Sequence, residues 1–308
     1  MENIIENKDC FDFSSVIIKE GHTIKHIVIS GGGTTGITFY TVLRELAKNN
    51  FWNIENIKTM YATSIGSLIC VILCLKYDWD ILDNFIIKRP WNDIFKFDLY
   101  TILQVFDKRG IFSIDKFDDL FKPLFTGCDI STSITMKEFY ELNGIELHFF
   151  STELNNFSSV DISYKTHPNM RVIEAVYCSC TLPVVFSPIF YENNCYVDGG
   201  ILNDFPLNDC IENGAKAEEI LAIKKSNFLT KKEITEESSF FEYILSILQN
   251  ILVKILRTKY ISDIPYMIIV KDYPVSIQSI IGFSSSIEER KRLMIEGLKN
   301  VSFLNNSV

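Results

Sequence analysis

Tyr61-Ala62-Thr63-Ser64-Ile65-Gly66 is the stretch that decides the fold. A strand-like apolar run leads into it, and a strongly apolar helical run, Ser67 to Leu75, leads out. This is the composition a nucleophile elbow needs. One hydroxyl is lifted above a sheet by a sharp strand-to-helix turn, and Ala62 and Gly66 are small enough to let the backbone fold that tightly. The plainer reading of Ser64 is a helix N-cap, a position where serine is common. Two further glycine clusters tip the balance. Gly31-Gly32-Gly33-Thr34-Thr35-Gly36 lies upstream, and Val197-Asp198-Gly199-Gly200 lies far downstream. Each is weak alone, but the three in this order are specific.

Working outward, His26 to Ser30 reads as a buried strand, and Ile37 to Asn49 carries apolar residues at helical spacing. Asn56 to Ala62 is the next strand, and the helix after the elbow ends near Lys76. Strand, glycine loop, helix, strand, elbow and helix make a βαβα unit. The expected fold is therefore α/β, a mainly parallel central sheet flanked by helices. Trp79 to Phe125 reads as largely helical. Leu147 to Thr152 is a strand with Ser158 to Ser163 as its hairpin partner, and Arg171 to Cys178 is a helix broken at Pro183. Cys195 to Val197 leads as a strand into Asp198, and Ile220 to Lys224 and Ile264 to Val270 are later strands. Ser286, with Glu289 three residues on, opens a last helix by a capping box. Lys224 to Ser239 is polar and reads as a surface loop. Phe240 to Leu256 is almost wholly apolar, with Glu242, Ser246, Gln249, Asn250 and Lys254 as a narrow polar stripe. Burial is its expected fate; a lid or a lipid-facing helix is the alternative.

The chain has 308 residues and 47% hydrophobic content, ample for a packed core. Eight cysteines are scattered without the paired spacing of a zinc site, and Cys70 and Cys74 fall on the apolar helix, where a thiol acts as a small hydrophobe. Reduced thiols and an intracellular, cytoplasmic setting are expected, with no metal or other cofactor. Met1 to Gly21 is polar and acidic and lacks the pattern of a signal peptide. The longest run free of Asp, Glu, Lys and Arg, His26–Leu43, is 18 residues long but is broken by four glycines and several hydroxyls, which argues against an ordinary membrane span. A net charge of −9 with no basic stripe argues against nucleic acid as a partner. It also gives no electrostatic help in docking to anionic membranes.

A glycine-rich turn between strand and helix presents backbone N–H groups where negative charge is favoured. One use is an oxyanion hole lined by Gly31, Gly32 and Gly33. Another is a dinucleotide phosphate cradle, and the spacing Gly31-x-Gly33-x-x-Gly36 fits it. That use wants an acidic residue ending the second strand, where Met60-Tyr61-Ala62 stands instead. A serine nucleophile needs a base. The four histidines, His22, His26, His148 and His167, all precede Asp198, and each reads as structural or superficial. Asp198 remains. It is either an ordinary Asp-Gly turn residue or a base that hydrogen-bonds the serine directly in a partly dry site.

These residues resemble the patatin-like phospholipases. The resemblance runs from about His26 to Cys210 and includes the approach Cys178-Ser179-Cys180-Thr181-Leu182-Pro183 and the later Pro206. It implies a three-layer architecture and a Ser–Asp dyad, with Ser64 as nucleophile, Asp198 as base and the Gly31–Gly33 amides as oxyanion donors. Gly36, Ala62, Gly66, Gly199 and Gly200 would support the turns. It further implies a polar tail over 1–22 and one domain over 23–308, comprising a motif core at 26–210 and a C-terminal extension at 211–308. The implied reaction is hydrolysis of fatty-acyl esters of glycerolipids, of phospholipase A or lysophospholipase type, with transient contact to a membrane surface. Three departures stand out. Thr35 occupies a place that is often basic, Ala62 one that is usually glycine, and Asp204 one that is often asparagine. The rival readings are a lipid-binding protein on an inactive form of the scaffold and, more distantly, a nucleotide-binding protein.

Overall fold

β1 (His26–Ile29) shows how the layers arise. Successive side chains of a strand point to opposite faces. Ile27 and Ile29 join one buried cluster while Val28 joins another. The same alternation splits Met60 and Ala62 from Tyr61, Phe149 from Phe150, and Leu221 and Ile223 from Ile220 and Ala222. Strands buried on both faces lie between two helical layers, as expected for a parallel sheet. These relations come from a computed structural model, which describes residues 21–96, 105–226, 234–256, 262–271, 277–299 and 301–303. Nearly all of the tail expected over 1–22 lies outside the described residues, as does the middle of the loop expected over 224–239.

The larger cluster is built on α1 (Gly36–Lys48) and α2 (Ile65–Cys74). α2 buries Ile69, Cys70, Val71, Ile72, Leu73 and Cys74. Each fully buried Ile or Leu contributes about 1.5–3 kcal/mol. α1 also packs against α3 (Trp79–Lys88) through a polar contact within this layer. There the buried Asp83 carboxylate accepts hydrogen bonds from Tyr40 Oη at 2.8 Å and from Arg44 Nη1.

β2 (Thr59–Thr63), β4 (Glu146–Glu153), β9 (Ile220–Lys225) and β10 (Tyr266–Val270) continue the sheet in parallel, in the order β10-β9-β1-β2-β4. Antiparallel strands finish it: β5 (Ser158–Ile162), β7 (Ile189–Tyr191), β8 (Asn194–Asp198) and β11 (Val301–Phe303). The register around β4 positions the site. β5 occupies one edge of β4 over Phe149 to Glu153. On the other edge, β2 runs parallel and ends with Thr63 opposite Phe150, while β8 runs antiparallel and ends with Asp198 opposite Ser151. β2 and β8 therefore meet tip to tip on consecutive rungs of one strand.

The segment Trp79 to Phe125 is largely helical among its described residues, as expected, with β3 (Gly110–Phe112) interrupting it and pairing in parallel with β6 (Val184–Phe186). Two expectations need correction. The helix Phe240–Leu256 forms as expected but is not wholly buried. Leu245 packs with Ile111, Phe112 and Val185, whereas Phe240, Tyr243, Ile247 and Ile251 are exposed. Only one side of the helix meets the small β3–β6 layer. The last helix, Ile287–Lys299, starts where read, with Ser286 Oγ accepting the Glu289 N–H at 3.1 Å, but the expected capping box is only half made: the Ser286 N–H donates to the Gly282 carbonyl and the Glu289 carboxylate meets Arg292.

Candidate active site

Ser64 stands between β2 and α2 with φ +54° and ψ −127°. A non-glycine residue rarely holds this backbone conformation, and it persists only where the surroundings over-determine it. Here they do. The Ser64 N–H donates to Ser179 Oγ at 2.8 Å, and Ser179 Oγ donates to the Phe150 carbonyl at 2.6 Å. The Ser64 carbonyl accepts from Ser67 Oγ at 2.6 Å. Ala62 lies buried within β2, and Gly66 opens α2 hard against the Ile29 carbonyl.

The tip-to-tip meeting of β2 and β8 brings Ser64 Oγ to 2.7 Å from Asp198 Oδ2, to which it donates. The other carboxylate oxygen accepts the Gly200 N–H at 2.7 Å. The Asp198 N–H donates to the Thr181 carbonyl at 2.9 Å, which fixes the end of β8. Gly199 has to be glycine because a methyl there would drive into the Phe150 carbonyl. Ser151, fully buried on the rung opposite Asp198, has its hydroxyl 2.9 Å from the carbonyls of both Cys178 and Val197.

Burial pushes the Asp198 carboxyl up to about 6, and the charge of Asp204 adds to the rise. The hydrogen bonds from Ser64 and Gly200 and the charge of Lys225 act the other way. A base in this range is ionised at neutral pH yet holds a proton better than a solvated carboxylate. Burial also raises the neighbouring Cys180 thiol, keeping it neutral, with Asp198 as the next cause. Its Sγ lies 3.6 Å from Ser67 Oγ.

The glycine loop lies beside this pair. A three-residue 3₁₀ turn, Gly33–Thr35, precedes α1, which opens at Gly36. The first amides of such a turn have no acceptor within it. The amides of Gly32 and Gly33 fall at that start. Gly31 differs from the expectation, because its N–H already donates to the Asp204 carbonyl at 2.9 Å. Its lack of a side chain serves close approach instead. A methyl there would strike Asp204 Oδ1 and come within 3.4 Å of Ser64 Cβ.

The histidines stay apart from Ser64. His148 is buried, with Nδ1 2.7 Å from Asp161 Oδ2 and Nε2 3.1 Å from Glu146 Oε1. His26 Nδ1 is 2.7 Å from Thr59 Oγ1. His167 Nδ1 is 2.9 Å from Thr166 Oγ1. Among the described residues no group of ligands is placed to hold a metal ion, and no helix is long and apolar enough to cross a membrane. A cavity of about 560 Å³ lined by Phe51, Trp52, Tyr77 and Trp79 opens beyond the C-terminal end of α2, at the far end from Ser64.

Sequence reading missed Ser151, Ser179 and Lys225 as parts of the site. Ser179 had a signal, its place between Cys178 and Cys180 on the approach to the aspartate turn. Ser151 had none beyond being a small polar residue in an apolar strand.

Comparison with known proteins identifies the family of the chain. The family described as "Patatin-like phospholipase" matches residues 27–211. "Probable lipid hydrolase 463L" of Invertebrate iridescent virus 6 is 30% identical over 209 residues, 65% of this chain and 69% of that protein. "Uncharacterized protein R571" of Acanthamoeba polyphaga mimivirus is 24% identical over 283 residues, 90% of this chain and 92% of that one. Among solved structures, VipD of Legionella pneumophila aligns with a TM-score of 0.46 and 16% identity, over 88% of this chain and 66% of VipD. The ExoU–SpcU complex of Pseudomonas aeruginosa aligns with a TM-score of 0.44 and 13% identity, over 91% of this chain and 53% of the matched chain. The chain thus spans less than two thirds of the length of either solved structure. The family match extends from β1 through the elbow to beyond the aspartate turn, and on that ground the chain belongs to the patatin-like phospholipase family.

Proposed function

We propose that this protein is a lipid acyl hydrolase that cleaves fatty-acyl esters of glycerolipids through a Ser64–Asp198 dyad. The observation that carries this reading is the 2.7 Å hydrogen bond from Ser64 Oγ to Asp198 Oδ2, made at a strained elbow with amide donors alongside. Ser64 Oγ attacks the ester carbonyl as Asp198 accepts its proton, and the carbonyl oxygen becomes an oxyanion held by the Gly32 and Gly33 amides. Collapse of this intermediate breaks the bond to the leaving alkoxide, which takes the proton back from Asp198, and an acyl-serine remains. Asp198 then removes a proton from water as it attacks the acyl carbonyl. The second collapse releases fatty acid and returns the proton to Ser64. The substrate is met at a lipid surface, to which the protein binds peripherally.

A fluorophosphonate probe tests the dyad. An adduct on Ser64, absent in Ser64→Ala and slowed at least about a hundredfold in Asp198→Asn, is the expected result. Folded protein that forms no adduct in the presence of zwitterionic vesicles, yet binds them, would replace this reading with lipid binding without turnover.

A further inference from the structure

We propose that Asp204 and Lys225 are positioning residues of this site: an ion pair, its cation supplied by β9, that holds the glycine loop and the aspartate turn together and keeps the base charged. The proposal rests on the Ser64–Asp198 reading above and adds two residues to it.

The glycine loop, Gly31 to Gly36, carries no charged side chain. A cation reaches it from another strand. β9 pairs with β1, and beyond the last rung the Ser30 N–H donates to the Ile223 carbonyl at 3.0 Å. The Lys225 N–H donates to Ser30 Oγ at 3.3 Å. This draws Lys225 alongside the loop and leaves Nζ 3.6 Å from Asp204 Oδ2.

Asp204 is the hub of these contacts. Its carbonyl accepts the Gly31 N–H, and its Oδ1 lies over the α-carbons of Gly31 and Gly200. Gly200 is the residue whose N–H holds Asp198 Oδ1. The preceding Asn203 makes two more ties. Its carbonyl accepts from Thr63 Oγ1 at 2.7 Å, next to Ser64, and its N–H donates to the Gly199 carbonyl at 2.8 Å. Two consecutive residues thus touch the glycine loop, the elbow strand and the aspartate turn.

Charge gives the pair a second task. Asp198 faces the Ser64 hydroxyl, the Cys180 thiol, Asp204 and Lys225. Two carboxylates sharing a dry site oppose each other's ionisation, and one tends to keep its proton. Asp204 pushes the Asp198 carboxyl up, and Lys225 pulls both carboxyls down. The ion pair lets the chain keep a second carboxylate here without neutralising its base.

The test compares Asp204→Asn, Lys225→Met, the double variant and Lys225→Arg with the wild type. It uses the pH dependence of kcat/KM on a short-chain ester and the carboxyl-carbon NMR titration of Asp198, assigned by its loss in Asp198→Asn. Asp204→Asn is expected to move the acid limb and the Asp198 midpoint downward by about half a pH unit or more, and Lys225→Met to move both upward by a smaller amount. The double variant returns toward the wild type, and Lys225→Arg stays with it. Folded Asp204→Asn and Lys225→Met proteins whose Asp198 midpoints match the wild type would overturn the proposal. The NMR titration does not need turnover. A protein without esterase activity would sink the dyad reading while still deciding whether this pair controls Asp198. If Lys225→Met does not fold, the near-isosteric Asp204→Asn decides alone.

Discussion

Asp83 and Asp198 are both buried carboxylates in the same α/β fold, and they are held in opposite ways. Asp83, at the contact of α1 and α3, receives a guanidinium on one oxygen and a phenol on the other. Asp198 has a serine hydroxyl and one backbone amide in direct contact, with a second carboxylate close by. Breaking a buried ion pair leaves an uncompensated charge. A buried carboxylate without a full counter-charge is already under strain from desolvation, and that strain is what makes it a competent base. Where a buried acid has its cation in contact, the fold is being held. Where it has hydrogen bonds but no contacting cation, the carboxyl is left with a raised affinity for a proton.

The largest effect expected from this contrast is catalytic. Asp198→Asn should lower kcat by at least about a thousandfold, while the folded fraction of Asp83→Asn should keep kcat within about twofold of the wild type. Ester hydrolysis normalised to folded protein measures both, and a comparable loss in Asp83→Asn would dissolve the distinction.

Stability should separate the two in the reverse sense. Asp83→Asn removes the more buried of the two carboxylates on Arg44 and leaves it with Glu45 alone, 2.8 Å from Nη2, at a cost of about 2–3 kcal/mol in denaturant unfolding, below that of a charge left with no partner. Replacing both partners by apolar residues, Arg44→Met with Asp83→Leu, should recover most of that loss.

The smallest effect has the opposite sign. The folded protein holds the Asp198 proton up to about pH 6, above the ordinary range near 4 of an unfolded aspartate. Between those values the native state binds more proton than the unfolded chain, so stability falls as pH rises. The cost is fully present above about pH 6 and absent below about pH 4. Asp198→Asn should therefore stabilise the protein by about 1–3 kcal/mol at neutral pH, with the gain fading in acid. Thermal unfolding of both proteins from pH 4 to 8 checks it. A constant difference across that range would assign the change to packing rather than charge.

How far the site could be read in advance depended on how local each part was. The Ser64 elbow was legible because strand, small residues and apolar helix follow one another directly. Asp198 was legible from its two glycines and from the lack of any histidine after it. Gly31 was recognised, but the partner of its N–H was not, because the carbonyl that takes it belongs to Asp204, far along the chain. Lys225 gave no signal, since a lysine ending a strand looks the same whether it meets water or a buried carboxylate. The order of β1, β2, β4 and their helices followed from periodicity. β3 and β6 escaped notice because three-residue strands are too short to show an alternation. The helix Phe240–Leu256 was recognisable from its apolar residues, but its exposed side was not, because a sequence does not say how many neighbours a helix has.

The meeting of β2 and β8 also sets when in synthesis the site can form. Ser64 and Asp198 are 134 residues apart in sequence, and both are laid against β4, which lies between them in the chain. Contacts of such separation carry a loop-closure cost and form late. In a chain still being synthesised the elbow is complete long before Asp198 has left the ribosome. Under the proposed dyad, activity would arrive as a single late event, when β8 closes on the free edge of β4.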